Sequence, residues 1–493
     1  MSAVRTLSNL KVAIVGAGAA GLACSCRLLS LGLAPSNLHV YEAQERIGGR
    51  IFTKRDPVKG SLIEIGAQWI HGQEENVVYT MASRNNCVAF DPSLESSGVG
   101  PNVEILDEDG SIVLPELWEK VFEIMEKIEK ESYEYLKGFD GSLDQYFRRK
   151  LDECIGAGEL NDLSEDLREK LFDWHHRFEN VIDAADDWSQ TGGWGHTEYW
   201  LCPGDPLVVW SDGYETLFRL LLEEIPADKR PSSISSLPGL HFNKPVHKIE
   251  YSPGDSMPVK LSLDDGTSQS FNSVVFTGSL GVLKANGKNI FSPALPIKKQ
   301  NAIEYLDLGT VDKIFLEFED CWWPKDLGGF GFLRSDTEKF SPDKHAKDWI
   351  RDILGFYTVR KNPNMLVGWI FGAAARSMEI LPEEQVLEDC YQCLKKYLGT
   401  RYTIPRPTKI IRSTWYSNPY TRGSYSYRTV LADKNQVWAK DLAEPIVDQG
   451  GFPILMFAGE ATHDHFYSTV HGAVESGWRE AERLIGAIRT SNL

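Results

Sequence analysis

Gly16-Ala-Gly-Ala-Ala-Gly21 spaces three glycines as a pyrophosphate-binding turn requires. Gly16 permits a tight turn, Gly18 lets the backbone approach the phosphates, and Gly21 lets a helix pack against a strand. Glu42 lies about 20 residues further on, where an acid meets ribose hydroxyls. Ile47-Gly-Gly-Arg50 then offers backbone and a guanidinium to a second phosphate face. A glycine-rich turn with no ligand would leave the acid at that spacing unexplained. NAD and FAD share this fingerprint, so these residues leave the choice between them open.

The elements that must carry this site follow from hydrophobic pattern. Lys11-Val-Ala-Ile-Val15 reads as a buried parallel strand, and Ala19 to Leu31 as a helix. The helix N-terminus presents unpaired N–H groups and partial positive charge to phosphates. Leu38-His-Val-Tyr41 is the next strand, with Glu42 at its end. Ile454-Leu-Met-Phe-Ala458 is another, running into Gly459-Glu460. A helix is expected to start close to Gly472, with Ala473, Val474 and Leu484 on its apolar side.

With these pieces in place, the sequence resembles the FAD-dependent amine oxidases, and within them the polyamine oxidases, from Val12 to Leu484. Its most specific stretches are Gly66-Ala-Gln-Trp-Ile-His-Gly72, Gly309-Thr-Val-Asp-Lys-Ile314, Gly423-Ser-Tyr-Ser-Tyr427 and Tyr467-Ser-Thr-Val-His-Gly-Ala473. The resemblance implies FAD held by Gly16, Gly18, Gly21, Glu42, Arg50, Gly66, Trp69, Gly459, Glu460 and Thr469, with Val246 against the adenine. It implies that Lys313 holds a water beside flavin N5 and that Tyr425 covers the reactive face. It also implies that His71 touches substrate or tunes its protonation.

Without the resemblance these residues read more plainly. Lys313 would be an ordinary lysine opening an exposed edge strand. Trp69 and His71 share one face by their i, i+2 spacing, and a lone histidine is usually structural. Tyr425 sits among Trp415, Tyr416, Tyr420 and Tyr427, a crowding that suits a packed core as well as a lined tunnel. Many family members carry a second facing aromatic where this chain has Thr469, which leaves a half cage of the animal polyamine oxidase kind and puts Thr469 and Trp69 beside substrate. Glu198, in Gly195-His-Thr-Glu-Tyr199, matches a substrate-binding glutamate, although its flanking residues differ. Asp186 and Asp187 are weaker candidates, and any of the three could be a solvated acid.

The chemistry implied is oxidation of a polyamine, spermine or an N1-acetylated polyamine, at a carbon next to a secondary amine. Water hydrolyses the imine, and oxygen leaves as hydrogen peroxide. The amine must arrive neutral, since a protonated nitrogen has no lone pair to assist hydride removal. Alternatives are an oxidase of monoamines or protein lysines, or a flavin-binding scaffold without catalysis. No cysteine follows Cys393, so FAD is expected to bind non-covalently. His463, His465 and His471 lack an acidic ligand set, and no metal is expected.

Composition agrees. At 493 residues the chain suggests two domains, and the formal charge of −18 disfavours nucleic acid and suits cationic ligands. No apolar run approaches a membrane span, and the start reads as strand and helix rather than a signal peptide. The eight cysteines form no disulfide-like framework, and Cys390-Tyr-Gln-Cys393 lacks a second pair for zinc. Ser491-Asn492-Leu493 resembles a peroxisomal address without its basic middle residue, so the expected location is cytoplasmic or peroxisomal. The protein is expected to be a monomer acting on a polyamine and O2, with no nucleic-acid or membrane partner. The expected fold is mixed α/β. A Rossmann-like FAD domain (1–85, 205–295 and 430–493) interleaves with a mixed-sheet and helical substrate domain (86–204 and 296–429).

Overall fold

Val12, Ala13 and Ile14 are fully inaccessible to solvent, which an apolar strand achieves inside a parallel sheet covered on both faces. The computed structural model describes residues 6–56, 61–89, 102–335, 348–359 and 361–491. In it β1 (Val12–Val15) lies between β2 (Leu38–Tyr41) and β3 (Ser273–Phe276), parallel to both. Leu240–His241 extends this sheet beyond β2, and Pro453–Phe457 extends it beyond β3. A short antiparallel edge, Ile446–Val447, completes six strands. All six come from the segments 1–85, 205–295 and 430–493.

A second six-stranded sheet is built around β4 (Val311–Glu317) and β5 (Asn362–Phe371), which pair antiparallel over their whole common length. Its strands come from 103–106 and 311–412. β4 is an interior strand, flanked by β5 and by Lys409–Arg412. Lys313 is therefore no edge residue: it is the third position of β4 and only 4 % exposed. The segment 205–295 contains both short strands and helices. Leu217, Leu220 and Leu221 bury one face of Thr216–Leu222, and Leu280–Ile290 is capped by Ser279.

The helices that position the site are α1 (Ala19–Ser30), α2 (Pro115–Tyr135), α3 (Glu165–Asp183) and α4 (Val470–Ser491). Pro115 opens α2, where its missing N–H leaves no bond unmade. The Ser164 hydroxyl accepts the Leu167 N–H and starts α3. α4 begins two residues before Gly472, because the Thr469 hydroxyl accepts the Gly472 N–H at 3.0 Å. α4 lies directly on α1: a Cβ added at Gly477 would stand 2.3 Å from the Ala20 carbonyl oxygen. All eight cysteines are free thiols, with Cys24 and Cys26 buried on α1 and Cys390 buried on Glu383–Leu398. Among the described residues no helix is long and apolar enough to cross a membrane. The tripeptide Ser491-Asn492-Leu493 lies, apart from Ser491, outside the described residues.

Candidate active site

One cavity of about 1780 Å³ runs from the glycine turn at α1 to the walls formed by β4, β5, α2 and α3. At its first end the glycines divide their work by geometry. Gly16 has φ +105°, a conformation that favours glycine. A Cβ on Gly21 would lie 2.0 Å from the Gly16 carbonyl oxygen, so α1 can approach β1 only with glycine there. Gly18 and Gly459 face the cavity, and a Cβ on either would meet no atom within 4 Å. That open space beside the uncapped N-terminus of α1 fits a pyrophosphate.

Glu42, buried at the end of β2, accepts the Ala17 N–H at 2.7 Å and the Gln44 N–H at 2.9 Å. Burial raises its pKa, and those two N–H groups oppose the rise. Its remaining lone pairs suit ribose hydroxyls. Val246, opening the strand Val246–Tyr251, lines the same stretch of cavity. Gly66 is forced by packing, since its Cβ would stand 1.9 Å from the Arg50 carbonyl oxygen.

Arg50 was expected to face a phosphate, and its Nη1 is instead held by the Ser424 carbonyl and by Glu460, each at 2.8 Å. Its Nε and Nη2 have no partner among the described residues, and the side chain lines the cavity. Glu460 also accepts the Ser426 hydroxyl at 2.5 Å and the Ser468 N–H at 2.8 Å, tying the Gly459 turn to two other loops. Thr469 lines the cavity as the cap of α4.

Lys313 leans from β4 under the Gly66 segment. Its Nζ donates to the carbonyls of Glu64 and Gly66 at 2.9 Å and to Gln68 Oε1 at 2.8 Å. It also lies 4.6 Å from the ring centroid of Trp369, which stacks on Trp69 at 5.6 Å. Burial pulls its pKa down to about 7, with the Glu64 carboxylate acting against that fall. A water held by Lys313 must replace one of these acceptors, and Gln68 is the only one of the three on a side chain.

His71 and Trp69 both line the cavity. His71 Nδ1 sits 3.1 Å from the Pro206 carbonyl, which places the proton on Nδ1 and leaves Nε2 as an acceptor. His71 is exposed to solvent where it lines the cavity, and desolvation by the surrounding protein lowers its pKa. The Tyr425 phenol donates to the Val181 carbonyl, linking the loop after Gly423 to α3. The three other histidines are engaged elsewhere: His463 with Glu475 at 3.1 Å, His465 stacked on Trp200, and His471 beside Asn76.

The carboxylates singled out from sequence for substrate, Glu198, Asp186 and Asp187, do not line this cavity. Glu198 lines a separate pocket of about 340 Å³, across a wall of Ser426, Tyr427, Arg428 and Tyr467 that borders both. Asp186 is clamped by the Arg376 guanidinium, and Asp187 pairs with His176 at 3.3 Å. Sequence reasoning missed other acids that do line it, among them Glu129 on α2, and Glu179 and Asp183 on α3. On isolated helices they look like a solvated face, and only the packing of α2 on α3 brings them together.

Burial, with the Glu129 charge adding to it, pushes the Asp183 pKa up to about 7. An acid whose folded pKa is raised penalises the fold once it ionises, so the penalty is absent below the usual 3.8 and complete above 7. Asp183→Asn is accordingly expected to stabilise the substrate-free protein above pH 7 by roughly 1–2 kcal/mol and to change little below pH 4. Denaturant titrations at the two pH values check this. An equal effect at both would show that the carboxylate is not under strain.

A parallel sheet with a glycine cradle, sharing one cavity with a buried lysine and an aromatic wall, defines a dinucleotide-dependent redox enzyme. The family model for flavin-containing amine oxidoreductases matches residues 19–485, and the chain belongs to that family. It is 31 % identical to human peroxisomal N(1)-acetyl-spermine/spermidine oxidase, over 96 % of this chain and 94 % of that one. It is 27 % identical to human lysine-specific histone demethylase 2, over 97 % of this chain and 53 % of that one. The solved structure of wild-type putrescine oxidase bound to putrescine shares the fold, with TM-score 0.67 and 16 % identity, covering 97 % of this chain and 99 % of that one. The protein is thus an FAD-dependent amine oxidoreductase, with its FAD bound non-covalently.

Proposed function

We propose that the enzyme oxidises polyamines. The carbon next to a secondary amine loses a hydride and the nitrogen a proton. Water adds to the resulting imine, which splits into an aminoaldehyde and a shorter polyamine. Molecular oxygen takes the two electrons and two protons and leaves as hydrogen peroxide. The observation that carries this reading is the single long cavity, which leads from the cofactor cradle past Lys313, Trp69 and Tyr425 to an acidic far wall. The printed name of the human relative, matched over nearly all of both chains, supports the same substrate class.

Bound FAD supplies the acceptor for the electrons. The protein's own residues prepare the substrate. The stacked indoles of Trp69 and Trp369 and the ring of Tyr425 exclude water, which disfavours the charged amine through desolvation. His71 Nε2 is an acceptor for an amine proton. Lys313 is placed to hold a water by exchanging its contact with Gln68. The peroxisomal location in the human relative's name supports the same compartment here.

Oxygen uptake with spermine, N1-acetylspermine, benzylamine and a methylated lysine peptide tests the reading. The polyamines are expected to exceed the other two by at least a hundredfold in kcat/KM, with one peroxide formed per oxygen consumed. Faster oxidation of benzylamine or the peptide would overturn it.

A further inference from the structure

Three acceptors surround the buried Lys313 Nζ: the carbonyls of Glu64 and Gly66 at 2.9 Å and Gln68 Oε1 at 2.8 Å. An ammonium has three N–H donors, and these contacts use all of them. A neutral amine has two N–H groups and a lone pair, so one of the three acceptors would then face that lone pair. The fold decides which of them can change. Glu64 is paired with Thr53 in an antiparallel ribbon, and Gly66 is wedged against the Arg50 carbonyl.

Gln68 differs from both. Its acceptor belongs to a side-chain amide that lines the cavity, and its Nε2 makes no hydrogen bond to a described residue. A half-turn of that amide puts a donor where the acceptor stood. The same side chain therefore suits the ammonium in one orientation and the amine in the other.

The other neighbours of Lys313 leave both forms accessible. Lys313 makes no ion pair among the described residues. The carboxylate whose charge reaches it, Glu64, is held by the Thr53 hydroxyl at 2.8 Å and the Tyr214 N–H at 2.7 Å. The ring centroids of Trp369 on β5 and of Trp69 lie 4.6 and 6.0 Å from Nζ, and such faces favour a cation. On the flanking strand, the Arg412 guanidinium is bound to the carbonyls of Met378 and Leu381. The adjacent Asp312 carboxyl accepts the Ser413 hydroxyl at 2.6 Å. Burial favours the amine, and Glu64 with the two indoles favours the ammonium.

We propose that Gln68 is a positioning residue that follows the charge of Lys313: its amide oxygen accepts from the ammonium, and after a half-turn its N–H donates to the neutral amine. The proton passes between Nζ and water in the cavity, and no buried polar atom is stranded in either state. Gln68 thereby sets the pH range over which Lys313 carries its charge. The inference deepens the polyamine reading above, in which Lys313 exchanges its Gln68 contact for a water.

The test is a set of denaturant titrations of the FAD-loaded chain between pH 6 and pH 10, each variant read against the same variant carrying Lys313→Met. A lysine whose folded pKa is lowered penalises the fold while charged, so the penalty is complete below about 7 and gone above the usual 10.5. Gln68→Glu offers acceptors only and holds the ammonium, so the onset of that change should move up by at least one pH unit. Gln68→Leu removes the acceptor, and the onset should move down by at least half a unit. An onset that stays put in both, or a loss of stability equal at every pH, would make Gln68 structural and overturn the proposal. Stopped-flow bleaching with spermine gives the second readout: the limb of its pH profile that vanishes in Lys313→Met should move the same way in each variant, and a fixed limb would count against the assignment. If spermine does not bleach wild type at any pH, the polyamine reading fails, and the titrations still decide the role of Gln68. Should Gln68→Glu not fold, the downward shift in Gln68→Leu carries the test, and its absence overturns the proposal.

Discussion

Lys313→Met is expected to lower the rate at which substrate bleaches the bound chromophore, or the rate of its recovery in oxygen, by roughly 10- to 150-fold. That range corresponds to about 1.5–3 kcal/mol for one charge-assisted contact in a dry site. Methionine keeps the length of the side chain and its packing against Trp369, and it removes only the donors. The variant should also unfold more easily, because the Glu64 and Gly66 carbonyls lose a buried partner. Stopped-flow traces of both half-reactions give the first effect and thermal melts the second. Normal rates in a destabilised variant would make Lys313 a structural residue and remove it from the chemistry.

Gly21→Ala should be the most damaging conservative substitution in the cradle. Its methyl would sit 2.0 Å from the Gly16 carbonyl oxygen, a clash between two backbone elements with no flexible side chain to yield. Overpacking of this kind costs about 3 kcal/mol or more, a large part of ordinary net stability. The expected outcome is protein that is largely insoluble, or soluble with less than a tenth of the wild-type FAD content. Gly18→Ala is the instructive contrast, since its methyl meets nothing within 4 Å. That variant should melt like wild type when stripped of FAD yet bind FAD at least tenfold more weakly. If instead Gly21→Ala loads FAD normally, α1 is free to retreat from β1 and the reading of this turn is wrong.

The contrast between these glycines shows what a sequence reveals about such a fold. Gly21 is legible because its role is local: the turn, the strand before it and the helix after it all lie within two dozen residues. β1, β2 and the strand Pro453–Phe457 were legible for the same reason, each being a short apolar run leading into turn residues, whereas β3 was not read from the sequence. Lys313 was legible as a residue but not as an environment. Alternation within Lys313–Phe318 suits an edge strand as well as an interior one, and only pairing with both β5 and Lys409–Arg412 settles which it is. Glu198 shows the opposite failure. Its position matched a motif, while its side chain lies across the Tyr467 wall in another pocket. Glu129, Glu179 and Asp183, which do line the cavity, come from two helices joined by long-range packing, and no local pattern marks them.

The six-stranded sheet has a consequence for how the protein is made. β3 pairs with Pro453–Phe457, a strand more than four hundred residues beyond β1, and α4 seals α1 only after that. At roughly 5–20 residues per second, a ribosome needs about 20–90 s to travel that interval. Throughout it, β1 and α1 emerge with one face uncovered and the glycine turn half built. Chaperone occupancy during synthesis should therefore persist until Pro453–Phe457 leaves the exit tunnel. Gly459 of the glycine cradle follows that strand, so the site for FAD is complete only after Pro453–Phe457 has emerged.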